Sequence, residues 1–228
     1  MEGNVRQSVL AHWFPTIACL FPASACAQGP TFDPGMNLTK TSMDDHHELV
    51  TSHHRFAPLP VGETLWHFSH LEAFAMRVPL ELMPGQSIDV DVVVLFTNHC
   101  FTRGEEPGET ADPSLVIMDG KERRILDQER YDLSRRYLPQ LILELGNRHI
   151  QVADPTRPNF VTFELPATDG KAAQKYAIFF EVTRDKKRSK RLLLRVQSAY
   201  ILTKPSKRLQ KALKINFRVL LKQQYSKK

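Results

Sequence analysis

Along the chain the spacing of apolar positions changes from strand-like to helical and back. Residues 88–96, IDVDVVVLF, alternate and then run apolar with β-branched side chains, which predicts a strand that becomes buried along its length. Pro84-Gly85 marks a turn just before it. Polar residues over 97–104 and a Gly-, Pro- and acid-rich stretch over 105–113 predict loops. Residues 115–118 and 122–126 flank Asp119-Gly120, a two-residue hairpin signal. The spacing then becomes helical, with Tyr131, Leu133, Tyr137, Leu138, Leu141, Ile142 and Leu145 on one stripe and Gly146-Asn147 as a stop. Pro139 is expected to kink this helix or split it near Leu138. Strands follow over 148–152, 160–165, 176–183 and 191–202, separated by turn-like DPTRPN, ATDG and RDKKRSK, with a last strand over 215–221. This order predicts an α+β fold, one long helix packed on a mainly antiparallel sheet and preceded by further strands.

The periodic segments place a single α+β domain over residues 64–222. Residues 1–50 are expected to add little stability, as a disordered, signal-like or mis-assigned segment. Residues 9–21 are mostly apolar and Ala25-Cys26-Ala27 fits a signal cleavage pattern, but Glu2 cancels Arg6, and His12 and Pro15 interrupt the run. The expected location is therefore cytoplasmic, with export the alternative if residues 1–27 are a true signal. No other stretch is long and apolar enough for a membrane span, so no membrane partner is expected. Three cysteines, Cys19, Cys26 and Cys100, exclude a disulfide scaffold. The histidines of SMDDHHELVTSHH (His46, His47, His53, His54) sit in a polar stretch that reads as a linker before it reads as a metal site.

Charge changes the picture most. Residues 1–114 hold 5 Lys and Arg against 14 Asp and Glu, and residues 115–228 hold 26 against 11. Residues 171–228 hold 18 basic side chains and only two acids, Glu181 and Asp185. The cations interleave with apolar residues, so one face can be core while the other meets phosphates. Within the turn over 184–190, Arg184, Lys186, Lys187, Arg188 and Lys190 make a hairpin tip strongly positive, and Arg195 follows on the next strand. These six residues are the expected nucleic-acid contacts. The competing reading is a solvated face, or one that meets the acidic half of the chain.

Three segments, FTNHCFTR (96–103), ERYDLS (129–134) and RVQSAY (195–200), resemble an uncharacterised family of small bacterial proteins, often of mobile-element type, over roughly residues 64–222. More loosely, residues 130–202 resemble the barnase/EndoU/RelE-like RNases, a group that includes many bacterial toxins and cuts RNA without a metal. That resemblance implies RNA as the partner, no cofactor, and a protein inhibitor as a further class of partner to look for. The large N-terminal half departs from the small toxins. The function expected is thus a metal-independent RNase-like or toxin-related protein. The alternative is a non-catalytic nucleic-acid-binding or regulatory accessory protein of a mobile element, using the same basic sheet.

RNA cleavage through the 2′-hydroxyl requires a base, cations for phosphate and an acid for the leaving oxygen. The catalytic candidates are His99 as acid or base, Arg130 as phosphate holder, and Ser198 and Tyr200 as positioning groups, with Arg103, His149, Arg157, Asn159, Arg195 and Gln197 in reserve. Period two places Val196, Ser198 and Tyr200 on one strand face and Arg195, Gln197 and Ala199 on the other. The competing reading sends Val196 and Tyr200 into the core with Ser198 between them. A tetrahedral metal site from His67, His70, His99 and Cys100 is the alternative chemistry, for a chain otherwise read as lacking a metal. Cys100 reads first as a buried small residue, and Asp89 and Asp91 as the wet face of a strand.

Overall fold

The computed structural model describes residues 56–152, 159–166, 173–188, 190–203 and 211–227, all within a unit spanning Asn37–Lys228. The readings made above for residues 1–50, for His53 and His54 and for Arg157 fall outside the described residues.

A short hairpin of β1 (Leu59–Val61) and β2 (Thr64–Trp66) leads into two long strands, β3 (Phe74–Met83) and β4 (Gln86–Phe96). Pro84 and Gly85 turn the chain between them, and Gly85 takes the positive φ of +76° that such a turn needs. A three-stranded sheet follows, from β5 (Thr102–Gly104), β6 (Val116–Asp119) and β7 (Glu122–Leu126) in the order β5-β7-β6. Helix α1 (Gln128–Leu143) then precedes β8 (His149–Val152), β9 (Asn159–Leu165), β10 (Gln174–Arg184) and β11 (Arg191–Ile201). The described chain closes with β12 (Leu213–Asn216) and helix α2 (Phe217–Ser226).

The main sheet has the order β12-β8-β9-β10-β11-β4-β3. The fold is α+β, as the sequence predicts, but two details differ. The sheet is mixed, because β11 runs parallel to β4 while its other pairings are antiparallel. Two α-helices are present among the described residues, because residues expected to end in a strand form β12 and then α2. Asn216 caps α2 by accepting a hydrogen bond from the Arg218 amide at 2.8 Å. Phe217, Leu220 and Leu221 are buried at the i, i+3, i+4 spacing of one helix face.

The apolar run of β4 is explained by its neighbours. Val92 and Val94 face the main core, while Val93 and Leu95 join a small cluster with Ala75 on the other face. A strand buried on both faces loses the alternation of a half-buried one. In α1, Tyr131, Ser134, Leu138 and Ile142 are buried and Asp127 caps the first turn through the Arg130 amide. Pro139 lies inside α1 without splitting it. A proline inside a helix costs ~3 kcal/mol through the lost hydrogen bond and the clash of its ring, which the complete burial of Leu138, Ile142 and Leu145 offsets.

Helix α1 is fastened to the early chain by a polar-aromatic cluster. Trp66 stacks on Tyr131 at 4.1 Å, and the Tyr131 hydroxyl donates to the His67 carbonyl at 3.1 Å. His70 Nε2 lies 2.9 Å from the Ser134 hydroxyl. Burial, then the charge of Arg135, holds the His70 imidazole down to about 4, against a weaker opposing hydrogen bond to the His67 backbone. The folded value lies below the ordinary 6.5, so neutral His70 stabilises the fold above pH 6.5 and that contribution is lost as pH falls towards 4. After allowance for its partial exposure the loss is about 2 kcal/mol. Urea midpoints should fall more steeply over this range for the parent than for His70→Gln. Parallel curves would show that His70 does not carry the acid sensitivity.

Candidate functional site

Two concave surfaces lie on the β10–β11 hairpin, one at its tip and one partway along its length. The tip is built around a buried ion pair. Asp185 and Arg191 are each 5% exposed, and Asp185 Oδ2 accepts from Arg191 Nε at 2.6 Å while Oδ1 accepts from the Lys187 amide at 2.8 Å. Burial alone would raise the Asp185 carboxyl, but the Lys187 amide and the Arg191 guanidinium hold it below its ordinary value. With Asp185 committed inward, Arg184, Lys186, Lys187, Arg188 and Lys190 are left on the exposed side of the turn. Helix α2 adds to them. Arg184 Nη1 donates to the Lys227 carbonyl at 2.9 Å and its guanidinium lies 5.9 Å from the Tyr225 ring. Arg184, Lys186, Lys187, Gln224 and Lys227 thus line one open groove of about 730 Å³.

The second surface is a cleft of about 440 Å³ where β4 ends beside β11. Thr97 ties the two strands, its amide donating to the Val196 carbonyl at 3.1 Å and its hydroxyl to the Gln197 carbonyl at 2.7 Å. A single helical turn over Asn98–Cys100 then sets His99 at the cleft wall. Asp119 reaches His99 from the β6–β7 hairpin, whose Gly120 has a φ of +61°. His99 Nε2 donates to Asp119 Oδ2 at 3.1 Å. Burial, then the charge of Arg124, lowers the His99 imidazole, against the opposing pull of Asp119. At neutral pH His99 is therefore a free base with its Nε2 proton held by Asp119. Glu181 and Arg195 face each other across the β10–β11 pair at 3.8 Å and line the same cleft with Gln197.

Of His99, Arg130, Ser198 and Tyr200, only His99 lines this cleft. Arg130 is turned inward, donating to the Thr102 carbonyl at 2.7 Å and to the His99 carbonyl at 3.4 Å. Its guanidinium lies 4.7 Å over the Tyr200 ring. Arg130 braces the loop that carries His99 rather than lining the cleft. Ser198 and Tyr200 do share a face, but not with Val196. The β10–β11 register shifts there, so that Val196 pairs with Phe180 and Ser198 with Phe179. Gln197 is the extra residue of the bulge, and it reverses the phase of the strand. Val196 and Ala199 enter the core, whereas Tyr200 stacks on Phe179 at 5.3 Å on the opposite face. Arg103 is committed to Glu109 in the acidic loop. His149 is exposed on β8, and Asn159 is half-buried at the start of β9.

The four residues named for a metal site are not grouped together among the described residues. His70 is engaged with Ser134 and His99 with Asp119, and His67 is exposed. Cys100 is fully buried, and burial pushes its thiol up to about 12, so it stays protonated. Among the described residues no group of three or more His, Cys, Asp or Glu could hold a metal ion. Nor is any helix among them long and apolar enough to cross a membrane.

Sequence reasoning missed Asp119 and Glu181 in the cleft, and Gln224 and Lys227 beside the basic turn. Asp119 was legible only as a turn residue, since its partner lies 20 residues away. The Gln197 bulge has no sequence signal.

A family model described as the YjaZ family matches residues 58–225, most of the chain and nearly all of its described part. Neither the comparison with curated proteins nor that with solved structures returns a match.

Proposed function

The chain belongs to the YjaZ family, and from that premise and the geometry above we propose that it is a nucleic-acid-binding protein whose basic hairpin tip holds a single strand, RNA first, by its phosphates. The observation that carries this reading is the groove in which Arg184, Lys186 and Lys187 of the turn meet Lys227 at the end of α2. Its single acidic side chain, Asp185, is spent internally on Arg191. A cationic concave surface of this kind attracts phosphate and releases counterions on binding. Replacing Lys186, Lys187 and Lys227 with Ala should lower the slope of log affinity against log salt by about 2, at ~0.7 for each single-strand phosphate contact. No binding at low ionic strength, or an unchanged slope, contradicts the reading.

The pairing of His99 with Asp119 favours a second reading, a metal-independent RNase-like activity. Neutral His99, its Nε2 proton held by Asp119, offers Nδ1 as base for a 2′-hydroxyl, and Arg195 is the nearby cation for phosphate. Three residues of extended chain, about 10 Å, separate Glu181 in the cleft from Arg184 at the tip. Glu181 and Arg184 fall on opposite faces of β10, so a strand held at the tip must pass around the turn to reach the cleft.

A further inference from the structure

We infer that the cleft beside His99 receives one unpaired nucleotide of the bound strand, with the carboxamides of Asn98 and Gln197 at the base edge and Arg195 at the phosphate. The inference rests on the nucleic-acid reading and adds to it a second, separate contact with its own chemistry.

The lining divides into two parts. Leu71, Ala73, Leu95 and Phe96 give an apolar floor, while Asn98, Gln197 and Arg195 stand among the polar groups of the rim. A volume of 440 Å³ lies within the range that small-ligand sites occupy, and the lining is more polar than is usual for them, as a polar ligand requires. The charges exclude a polyanion as the cleft's own ligand, because Asp119 and Glu181 share the lining with Arg195. One anionic group on an otherwise neutral, flat body fits better.

The polar groups differ from those elsewhere in how they are occupied. Arg191, Arg103 and Arg130 are tied to carboxylates or carbonyls at hydrogen-bonding distance. Arg195 meets Glu181 only at 3.8 Å, with both side chains more than 40% exposed. A phosphate can therefore draw that guanidinium away at small cost. Among the described residues no hydrogen bond reaches the side-chain amide of Asn98 or Gln197, although the backbone of each is held, Asn98 by the Thr102 hydroxyl and Gln197 by the Thr97 hydroxyl. Two anchored residues thus present donor-and-acceptor groups at one rim. A carboxamide matches the paired donor and acceptor of a base edge, and an unpaired base is where single-stranded RNA is read. The bulge at Gln197 is the device that aims this side chain, since bulges re-aim a residue where pairing is interrupted.

The test uses the full chain and four probes, 5′-AMP, adenosine, ribose 5-phosphate and a single-stranded RNA. In calorimetric titrations AMP should bind at least tenfold more tightly than ribose 5-phosphate or adenosine, because base and phosphate contacts are both needed. Gln197→Leu and Asn98→Leu should each weaken AMP about tenfold. Gln197→Glu, which keeps the side-chain size and removes the donor, should do the same if Leu perturbs the bulge. Lys186→Ala with Lys187→Ala should leave AMP affinity within twofold and lower the salt slope for RNA. RNA binding without AMP binding, or ribose 5-phosphate binding as well as AMP, overturns this inference and leaves the tip groove standing. Failure of all four probes removes both.

Discussion

Replacing Asp185 with alanine is expected to destabilise the protein by about 3–5 kcal/mol, the usual effect of breaking a buried ion pair from one side. Asp185 accepts from the Arg191 guanidinium and the Lys187 amide, and its own amide donates to the Arg191 carbonyl at 3.1 Å. Alanine removes the carboxylate and leaves a buried guanidinium without it. Asp185→Asn keeps the volume and one acceptor, so its loss should be smaller. Denaturant midpoints of the three proteins, compared at equal slope, measure the effect. The same change should loosen the turn that carries Lys186 and Lys187, so RNA affinity should fall even though removing a negative charge would by itself raise it. A loss under about 1 kcal/mol would show that the pair does not organise the tip.

The second large effect concerns chemistry. If the protein cleaves RNA, His99→Ala should lower the rate by ~10²–10⁴-fold, the usual contribution of a positioned acid–base group, while affinity for RNA stays near the parent value. Asp119→Asn should lower the rate and leave His99 in place, because an amide no longer holds the Nε2 proton as a carboxylate does. A chelator should have no effect on this mechanism. Cleavage by His99→Ala at the parental rate, or no cleavage by the parent, removes the RNase-like reading and leaves the binding protein.

What the sequence revealed follows from the range of the interactions involved. The alternation and β-branching of β4, β10 and β11, the Pro84-Gly85 turn and the stripe of α1 are local patterns, and each was legible. The parallel pairing of β11 with β4 was not, because a run such as Val92 to Phe96 fits any strand buried on both faces, and its partner lies about a hundred residues away. Helix α2 was read as a strand because Ile215 and Phe217 alternate. The Asn216 cap and the spacing of Phe217, Leu220 and Leu221 carried the opposite signal. For the sites, the cations of the turn were legible as composition, but their assembly with Lys227 depends on where α2 docks. His99 was legible as a loop histidine. Arg130 was not legible as a brace, because its partners are backbone carbonyls, which every residue possesses. Ser198 and Tyr200 fell on the expected common face, but a one-residue bulge separated them from Val196.

Lysine acylation in the presence and absence of single-stranded RNA, read residue by residue by mass spectrometry, tests the location of the binding surface most directly. Lys186, Lys187 and Lys227 line the groove, whereas Lys175 lies at the far end of β10 and Lys214 on the edge strand β12. The account predicts that RNA protects the first three at low salt, that protection fades as salt is raised, and that Lys175 and Lys214 react equally with and without RNA. Protection of Lys175 and Lys214 with Lys186, Lys187 and Lys227 still reactive would contradict it.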